Sequence, residues 1–495
     1  MKKAFAALPF LLLCLFETSG QAYQPTWESL DKRPVPAWFS NDKFGIFIHW
    51  GVYSVPAYRP VGKERYASYA EWYEVEVMHK PGPGRDFHER TYGPDFTYRD
   101  FAPMFRAELF NPEEWAALFK RAGARYVVLT AKHHDGFCLW PTRSRYNMGW
   151  NSVESGPGRD VVGEVTRAVR AEGLRMGLYY SLLEWETPTP SRLEKPYLPS
   201  PLLEKYRIPT DQYPGEHVVP QLKELVTNYQ PAVIFADGAW DEPSDYWQSP
   251  GFLAWLYNNA PNKDEVVVND RWGKDAHEKH GDYYTSEYAS ADKTMGTGHP
   301  WEENQGIGGS YGFNRAEKPE DYKTSAQLVH LLIDRVSRGG NLLLNVGPAS
   351  DGTIPVLMQE RLLDIGKWLS LNGEAIYGTR PWADAPKPAA PVTASKRRRV
   401  KTAGAAGTAP AADADRAYYT TKGNTLYVIR PEWPATPFAV APLTTRSTIK
   451  VTCLGVPGAV KWKTEKGKLT ITPPALPAAV LPCRYAYVFK VENAL

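Results

Sequence analysis

QPAVIFADGAWDE, residues 230–242, is an apolar run of strand-forming residues that stops at Asp237, where Gly238 lets the chain turn away at once. A carboxylate therefore stands at the tip of a buried strand. EVVVNDRWG, residues 265–273, repeats the pattern and ends in Asn269, Asp270 and Arg271, while GDYYTSEY, residues 281–288, carries a second acid, Glu287, to the end of a strand-like segment. Short apolar strands separated by longer amphipathic segments belong to a parallel sheet covered on both faces. Closed into a barrel, such a sheet gathers its carboxyl ends at one mouth. Alone, either acid reads as a surface loop residue or a helix cap. Two at one mouth are what glycoside hydrolysis needs, one to attack or to activate water, the other to protonate the leaving oxygen.

The alternation extends in both directions. In KFGIFIHWGVYSVPA, residues 43–57, Phe44 to Ile48 reads as a first strand with His49 at its tip, and ASYAEWYEVEV, residues 67–77, brings Glu71 and Trp72 in a segment whose prolines and glycines at 81–84 point to a loop. NPEEWAALFKRAG, residues 111–123, is a helix capped by Asn111 and stopped by Gly123. The β-run from Tyr126 to Thr130 then leads to Lys132, His133, His134 and Asp135. Adjacent histidines on an extended segment point to opposite sides, and no third ligand stands at a zinc-like spacing. They read as hydroxyl-binding or structural groups, and no metal or other cofactor is expected. The helix at 158–173 and the strand in LRMGLYYSLLEW, residues 174–185, follow; alternation sends one of Tyr179 and Tyr180 inward and the other outward. Pro188 to Pro214 is Pro-rich and reads as an active-site loop or lid, and 215–230 as the helix before the Asp237 strand.

Beyond Glu287, TGHPWEENQGIGGSYGFNR, residues 297–315, reads as a loop in which Glu302 and Glu303 are rival acids. An amphipathic segment from Ser325 to Ser337, a closing strand from Asn341 to Val346 and a helix over 356–373 complete the unit. The order predicts an α/β fold with a (β/α)8-like barrel over residues 23–380. Residues 381–412 shift to Ala, Pro, Lys and Arg and read as a linker or disordered insertion. Residues 413–495 alternate apolar and polar positions between turn signals and predict a C-terminal antiparallel β-sandwich.

Residues 1–22, with a Lys pair, a short apolar core and small residues before a cleavage point after Ala22, read as a signal peptide. A secreted or periplasmic product follows, and the Lys-Lys start without any Asn-x-Ser/Thr sequon leans to a bacterial one. A net charge of +3 gives no case for a nucleic-acid partner, and no second apolar run suits a membrane span. Nothing in the sequence sets an oligomeric state. Seventeen Trp and twenty-nine Tyr supply flat faces suited to sugar rings. Four cysteines are too few for a disulfide framework, although Cys453 and Cys483 fall in the last domain and are expected to pair.

Together KFGIFIHWGVYSVPA, EWY, AKHHDGF, GLYYSLLEW, the strand ending at Asp237, NDRWG, TSEY, SYGFNR and SRGGNLLLNVGP resemble the α-L-fucosidases of glycoside hydrolase family 29, in order over most of residues 27–382. The resemblance implies a retaining enzyme that removes terminal fucose from fucosylated oligosaccharides or glycoconjugates. Asp237 would be the nucleophile and Glu287 the acid/base, with carboxyl groups about 5 to 5.5 Å apart. It also implies a fucose pocket lined by His49, Glu71, Trp72, His133, His134, Tyr179, Arg271 and Tyr311, in which the imidazoles bond ring hydroxyls and Trp72 and Tyr311 pack on the methyl side. Phe235, where the family often has tryptophan, and Tyr311, where it has Phe or Trp, depart from the pattern but remain aromatic. Two rival classes remain: a barrel glycosidase for another sugar, and a carbohydrate-binding protein without turnover.

Overall fold

Eight strands form one sheet in which every hydrogen-bonded pair is parallel: β1 (Phe44–Ile48), β2 (Tyr126–Lys132), β3 (Arg175–Ser181), β4 (Val233–Asp237), β5 (Val267–Val268), β6 (Tyr284–Glu287), β7 (Trp301–Gly306) and β8 (Asn341–Val346). The computed structural model describes residues 23–62, 64, 66–199, 208–288, 298–385, 416–440, 443, 448–465 and 467–495; residues 1–22, expected as a signal peptide, lie outside them. Strand order is β5-β4-β3-β2-β1-β8-β7-β6, so the sheet curls as the expected barrel with its seam between β5 and β6. Asp282 bridges that seam: its N–H donates to the Val268 carbonyl at 3.0 Å and its carboxylate accepts from the Val268 N–H at 2.8 Å.

The two-residue period of the strands divides the core. Ile46, Ile48, Val127, Leu129, Leu178 and Ile234 face outward into the layer shared with the helices, whereas Phe47, Val128, Tyr179, Val233, Phe235 and Leu343 fill the barrel. Outside lie helices Pro112–Arg121, Val161–Ala171, Val219–Tyr229, Ser249–Asn259, Ser325–Ser337 and Val356–Asn372. Asn111 caps the first by accepting from the Glu114 N–H at 3.1 Å.

Two expected loops are ordered differently. Residues 81–84 start the helix Pro83–Tyr92, with Pro83 in the first turn, where its missing N–H costs nothing. WEENQG, expected as loop, is the fully buried strand β7. Its polar residues hide the strand signal because each finds a partner: Tyr126 donates to Glu302, Ser286 donates to Glu303 at 2.8 Å, and Asn304 accepts from the Tyr311 hydroxyl at 2.5 Å.

The linker expected from residue 381 begins instead as sheet. β9 (Arg380–Pro381) pairs with β10 (Tyr418–Lys422), and Trp382 is buried in the second core; residues 386–415 lie outside the described ones. The six-stranded sheet adds β11 (Thr425–Arg430), β13 (Lys450–Cys453), β14 (Val456–Ala459) and β17 (Tyr487–Glu492), and faces the three-stranded sheet of β12 (Phe438–Val440), β15 (Lys461–Glu465) and β16 (Lys468–Thr472). One face of β11 and β17 supplies Leu426, Val428, Phe489 and Val491 to the sandwich, the other Tyr427, Ile429 and Val488 to the barrel's outer core. The expected Cys453–Cys483 disulfide is not formed, and both are free thiols. Cys453 faces the sandwich interior, whereas Cys483 packs toward the barrel core and bonds the Ala486 carbonyl.

Helix Val356–Asn372 crosses the end of helix Pro112–Arg121 so closely that a Cβ on Gly366 would lie 1.9 Å from the Arg121 carbonyl oxygen. Gly366→Ala is therefore expected to destabilise the fold by about 1–3 kcal/mol and to lower the melting midpoint. Gly251→Ala, in open space on helix Ser249–Asn259, leaves the midpoint unchanged or raises it.

Candidate active site

The strand parity that fills the barrel also aims residues at its mouth. Two positions beyond Phe47, His49 continues its inward face, and Asp237 stands two beyond Phe235. At this end opens a cavity of about 700 Å³. It collects Asp237, Glu287, His49, Glu71, Trp72, His133, His134, Tyr179, Arg271 and Tyr311, all ten residues named from the sequence. Neither Glu302 nor Glu303 lines it. Glu302 lies on the barrel interior against Tyr126, and Glu303 is bound by Ser286, Gln305 and Arg335.

Arg271 joins the two acids. Its Nη1 donates to Asp237 Oδ1 at 3.0 Å and its Nη2 to Glu287 Oε2 at 3.3 Å. Nε donates to Thr285 Oγ1 at 2.9 Å, and the Thr285 hydroxyl donates in turn to Asp270 Oδ1 at 2.7 Å, so the fork is locked from behind. Each acid has a tyrosine of its own: Tyr179 donates to Asp237 Oδ2 at 2.9 Å and Tyr69 to Glu287 Oε1 at 2.7 Å. Burial pulls the Asp237 carboxyl upward, but the Arg271 guanidinium, helped by the Tyr179 hydroxyl, outweighs it and holds it below the ordinary carboxylate value.

The three histidines are neutral. Burial lowers His49 to about 3 and His134 to about 4, and drives His133 well below its ordinary value. Their tautomers follow from their partners. The Asn345 amide donates to the Tyr311 carbonyl, leaving its oxygen to accept from His49 Nδ1 at 2.7 Å. Likewise the Ser181 hydroxyl donates to the Leu183 carbonyl and accepts from His134 Nδ1 at 2.6 Å. Nε2 of both rings is left as an acceptor, and in His134 it lies 3.8 Å from Asp237 Oδ2. Among the described residues no cluster of three or more His, Cys, Asp or Glu side chains is arranged for a metal ion.

Glu71 is buried and accepts from the Gly312 N–H at 2.9 Å and the Ser310 hydroxyl at 3.1 Å. Trp72 and Trp240 stack with centroids 6.3 Å apart, and Trp240 remains 41% exposed at the rim. The Pro-rich segment expected as a lid reaches this rim through Tyr197, which accepts from the Trp240 indole at 2.8 Å; its residues 200–207 lie outside the described ones. Tyr69 and Trp240 escaped sequence reasoning. Each lies within three residues of a residue that was singled out, yet a tyrosine or tryptophan beside a motif looks like any core aromatic until the fold turns it into the cavity.

Residues 12–374 match the family model described as alpha-L-fucosidase, and residues 413–492 that of the alpha-L-fucosidase C-terminal domain. The chain is similar to the tissue alpha-L-fucosidase of Homo sapiens, 41% identical over 510 residues that cover 100% of this chain and 98% of the human one. It is 46% identical over 378 residues to an alpha-L-fucosidase of Dictyostelium discoideum, covering 75% and 78% of the two chains. A solved structure of the Thermotoga maritima alpha-fucosidase in complex with a mechanism-based inhibitor aligns with a TM-score of 0.76 at 38% identity, covering 95% of this chain and 100% of that one. Relatives so widely spread carry no information on the bacterial source expected from the leader.

Burial pushes the Glu71 carboxyl up to about 7 from the ordinary 4.5, so the folded chain binds this proton more tightly than the unfolded chain does. The sign follows: Glu71 costs nothing below the lower value, and its burial removes stability as pH rises through the interval to about 7. Glu71→Gln keeps an acceptor for Gly312 and Ser310 but cannot ionise. Its melting midpoint is expected to fall less than the wild type's between about pH 5 and about pH 8.

Proposed function

The chain belongs to the α-L-fucosidase family of glycoside hydrolases, and on that footing we propose that it is an exo-acting retaining enzyme on terminal α-L-fucosyl residues of oligosaccharides or glycoconjugates. Asp237 attacks the anomeric carbon while Glu287 gives a proton to the departing glycosidic oxygen, which leaves a fucosyl ester on Asp237. Water then gives a proton to Glu287 and attacks the same carbon, breaking the ester and releasing fucose with its original configuration.

The observation that carries this reading is the single Arg271 guanidinium spanning both carboxylates. It keeps Asp237 ionised for attack and sets Glu287 beside it, within reach of one sugar. Tyr179 and Tyr69 fix the carboxylates in rotation. Nε2 of His49 and His134, with His133 and Glu71 beside them, offers acceptors to ring hydroxyls, while Trp72 and Tyr311 pack on the apolar methyl side. The residue 1–22 leader supports export, and no helix among the described residues is long and apolar enough to cross a membrane.

Nitrophenol release from 4-nitrophenyl α-L-fucoside, followed with and without azide, tests the assignment. Asp237→Ala is expected to lose turnover and to recover it with azide as β-fucosyl azide. Glu287→Ala is expected to lose about 10²–10⁴-fold in rate and to give the α-azide. Full activity in Glu287→Ala would remove it from the acid/base role. Tyr69→Phe, which strips the donor from Glu287 and leaves the ring, is expected to lower kcat/KM about tenfold.

A further inference from the structure

At the amino ends of the strands, the end of the barrel away from Asp237 and Glu287, a second cleft of about 450 Å³ opens between barrel and sandwich. Asp42 precedes β1, Arg125 precedes β2 and Arg175 begins β3; Tyr377 and Gly378 form a wall, and Lys422, the last residue of β10, reaches over from the sandwich. Three cations thus meet one carboxylate. Arg175 takes that carboxylate, with Nη1 donating to Asp42 Oδ2 at 2.7 Å. Among the described residues the ion pairs place no carboxylate on Arg125 or Lys422.

Both cations are exposed at the cleft, and each touches Tyr377. The Arg125 backbone N–H donates to the Phe44 carbonyl at 2.9 Å, and its guanidinium lies over the Tyr377 ring at 4.2 Å. Tyr377 is fixed in turn by donating to the Gly123 carbonyl at 2.5 Å. Stacked on Tyr377 and bonded to its hydroxyl, with the Asp42 carboxylate also near it, the guanidinium has already lost much of the entropy of ordering it, and its remaining N–H groups are left for a ligand. Lys422 Nζ donates to the Tyr377 carbonyl at 3.4 Å and lies so close to Gly378 that a Cβ there would come within 3.3 Å of it.

We propose that this cleft is an oxyanion site, which takes a phosphate or sulfate group between Arg125 and Lys422. A tetrahedral oxyanion presents enough oxygens to accept from a guanidinium edge and an ammonium at once, and it brings the charge the cleft lacks. The group could arrive free or as an ester on a glycan, since the chemistry recognised is the same. The site stands whichever sugar the other end of the barrel accepts.

Calorimetric titration of the whole protein with inorganic phosphate, with galactose 6-sulfate and with galactose, at fixed ionic strength balanced by chloride, tests the proposal. Saturable binding of an anion, absent for galactose and lost in Arg125→Gln/Lys422→Gln, is expected. Binding of phosphate alone assigns a free-ion site, and binding of the ester alone or of both assigns a glycan-ester site. Phosphate should also raise the wild-type melting midpoint by more than that of the double variant, which carries the general stabilisation such salts give any protein. Turnover of the aryl fucoside checks that the variant is folded; should the double variant lose it, Lys422→Gln alone serves. The absence of saturable heat with either anion, or equal heat in the variant, overturns the proposal.

Discussion

The mouth of the barrel depends on the Arg271 guanidinium. A buried carboxylate and a half-buried one, close enough to share a sugar, repel each other and resist burial, and a cation between them offsets both costs. Arg271 can do this because Thr285 and Asp270 hold its third nitrogen edge and because three nearby histidines are neutral, so no other charge competes for Asp237. A lysine in its place would be a point charge without the fork that reaches two acids at once.

Support for that fork comes from the seam of the sheet. β4 ends in Asp237, β6 ends in Glu287, and Arg271 follows the short strand β5, so the site straddles the place where the ladder is interrupted. Asp282 closes the gap with its backbone and side chain, and the buried Arg33 pairs with that carboxylate at 3.0 Å from the N-terminal lead-in. Beyond Val268 the Asn269 side chain takes over the pairing with β4, accepting from the Ala236 N–H at 3.0 Å and donating to its carbonyl at 2.8 Å. The sandwich braces the other side of the sheet through alternate residues of β11 and β17, which places Lys422 beside the barrel floor.

Much of this was legible beforehand, and the exceptions have one cause. Strands β1 and β8 were bounded correctly, and β4 was ended correctly at Asp237, because apolar β-branched and aromatic runs end there at His, Gly or Asp. β7 was missed because WEENQG carries its polar residues into buried positions, where Tyr126, Ser286, Tyr311 and Arg335 satisfy them. Pattern reading assumes that polar means exposed, and a barrel lined by hydrogen-bonded pairs breaks that assumption. Cys453 and Cys483 misled for a related reason: nearness in one domain does not show that they face opposite cores.

The sequence by itself determined the alternation of strand and helix, the residues standing at strand tips, and the family resemblance, because each depends on local propensity and on order along the chain. Only the tertiary structure decided that Glu287, not Glu302 or Glu303, shares a cavity with Asp237, since strand parity sends those neighbours to the barrel interior and to the helix layer. It alone brought in Tyr69, and it alone joined Arg125 to Lys422 across almost three hundred residues of chain. Such contacts are fixed by the closure of the sheet and the docking of the sandwich, and neither leaves a periodic trace in the sequence.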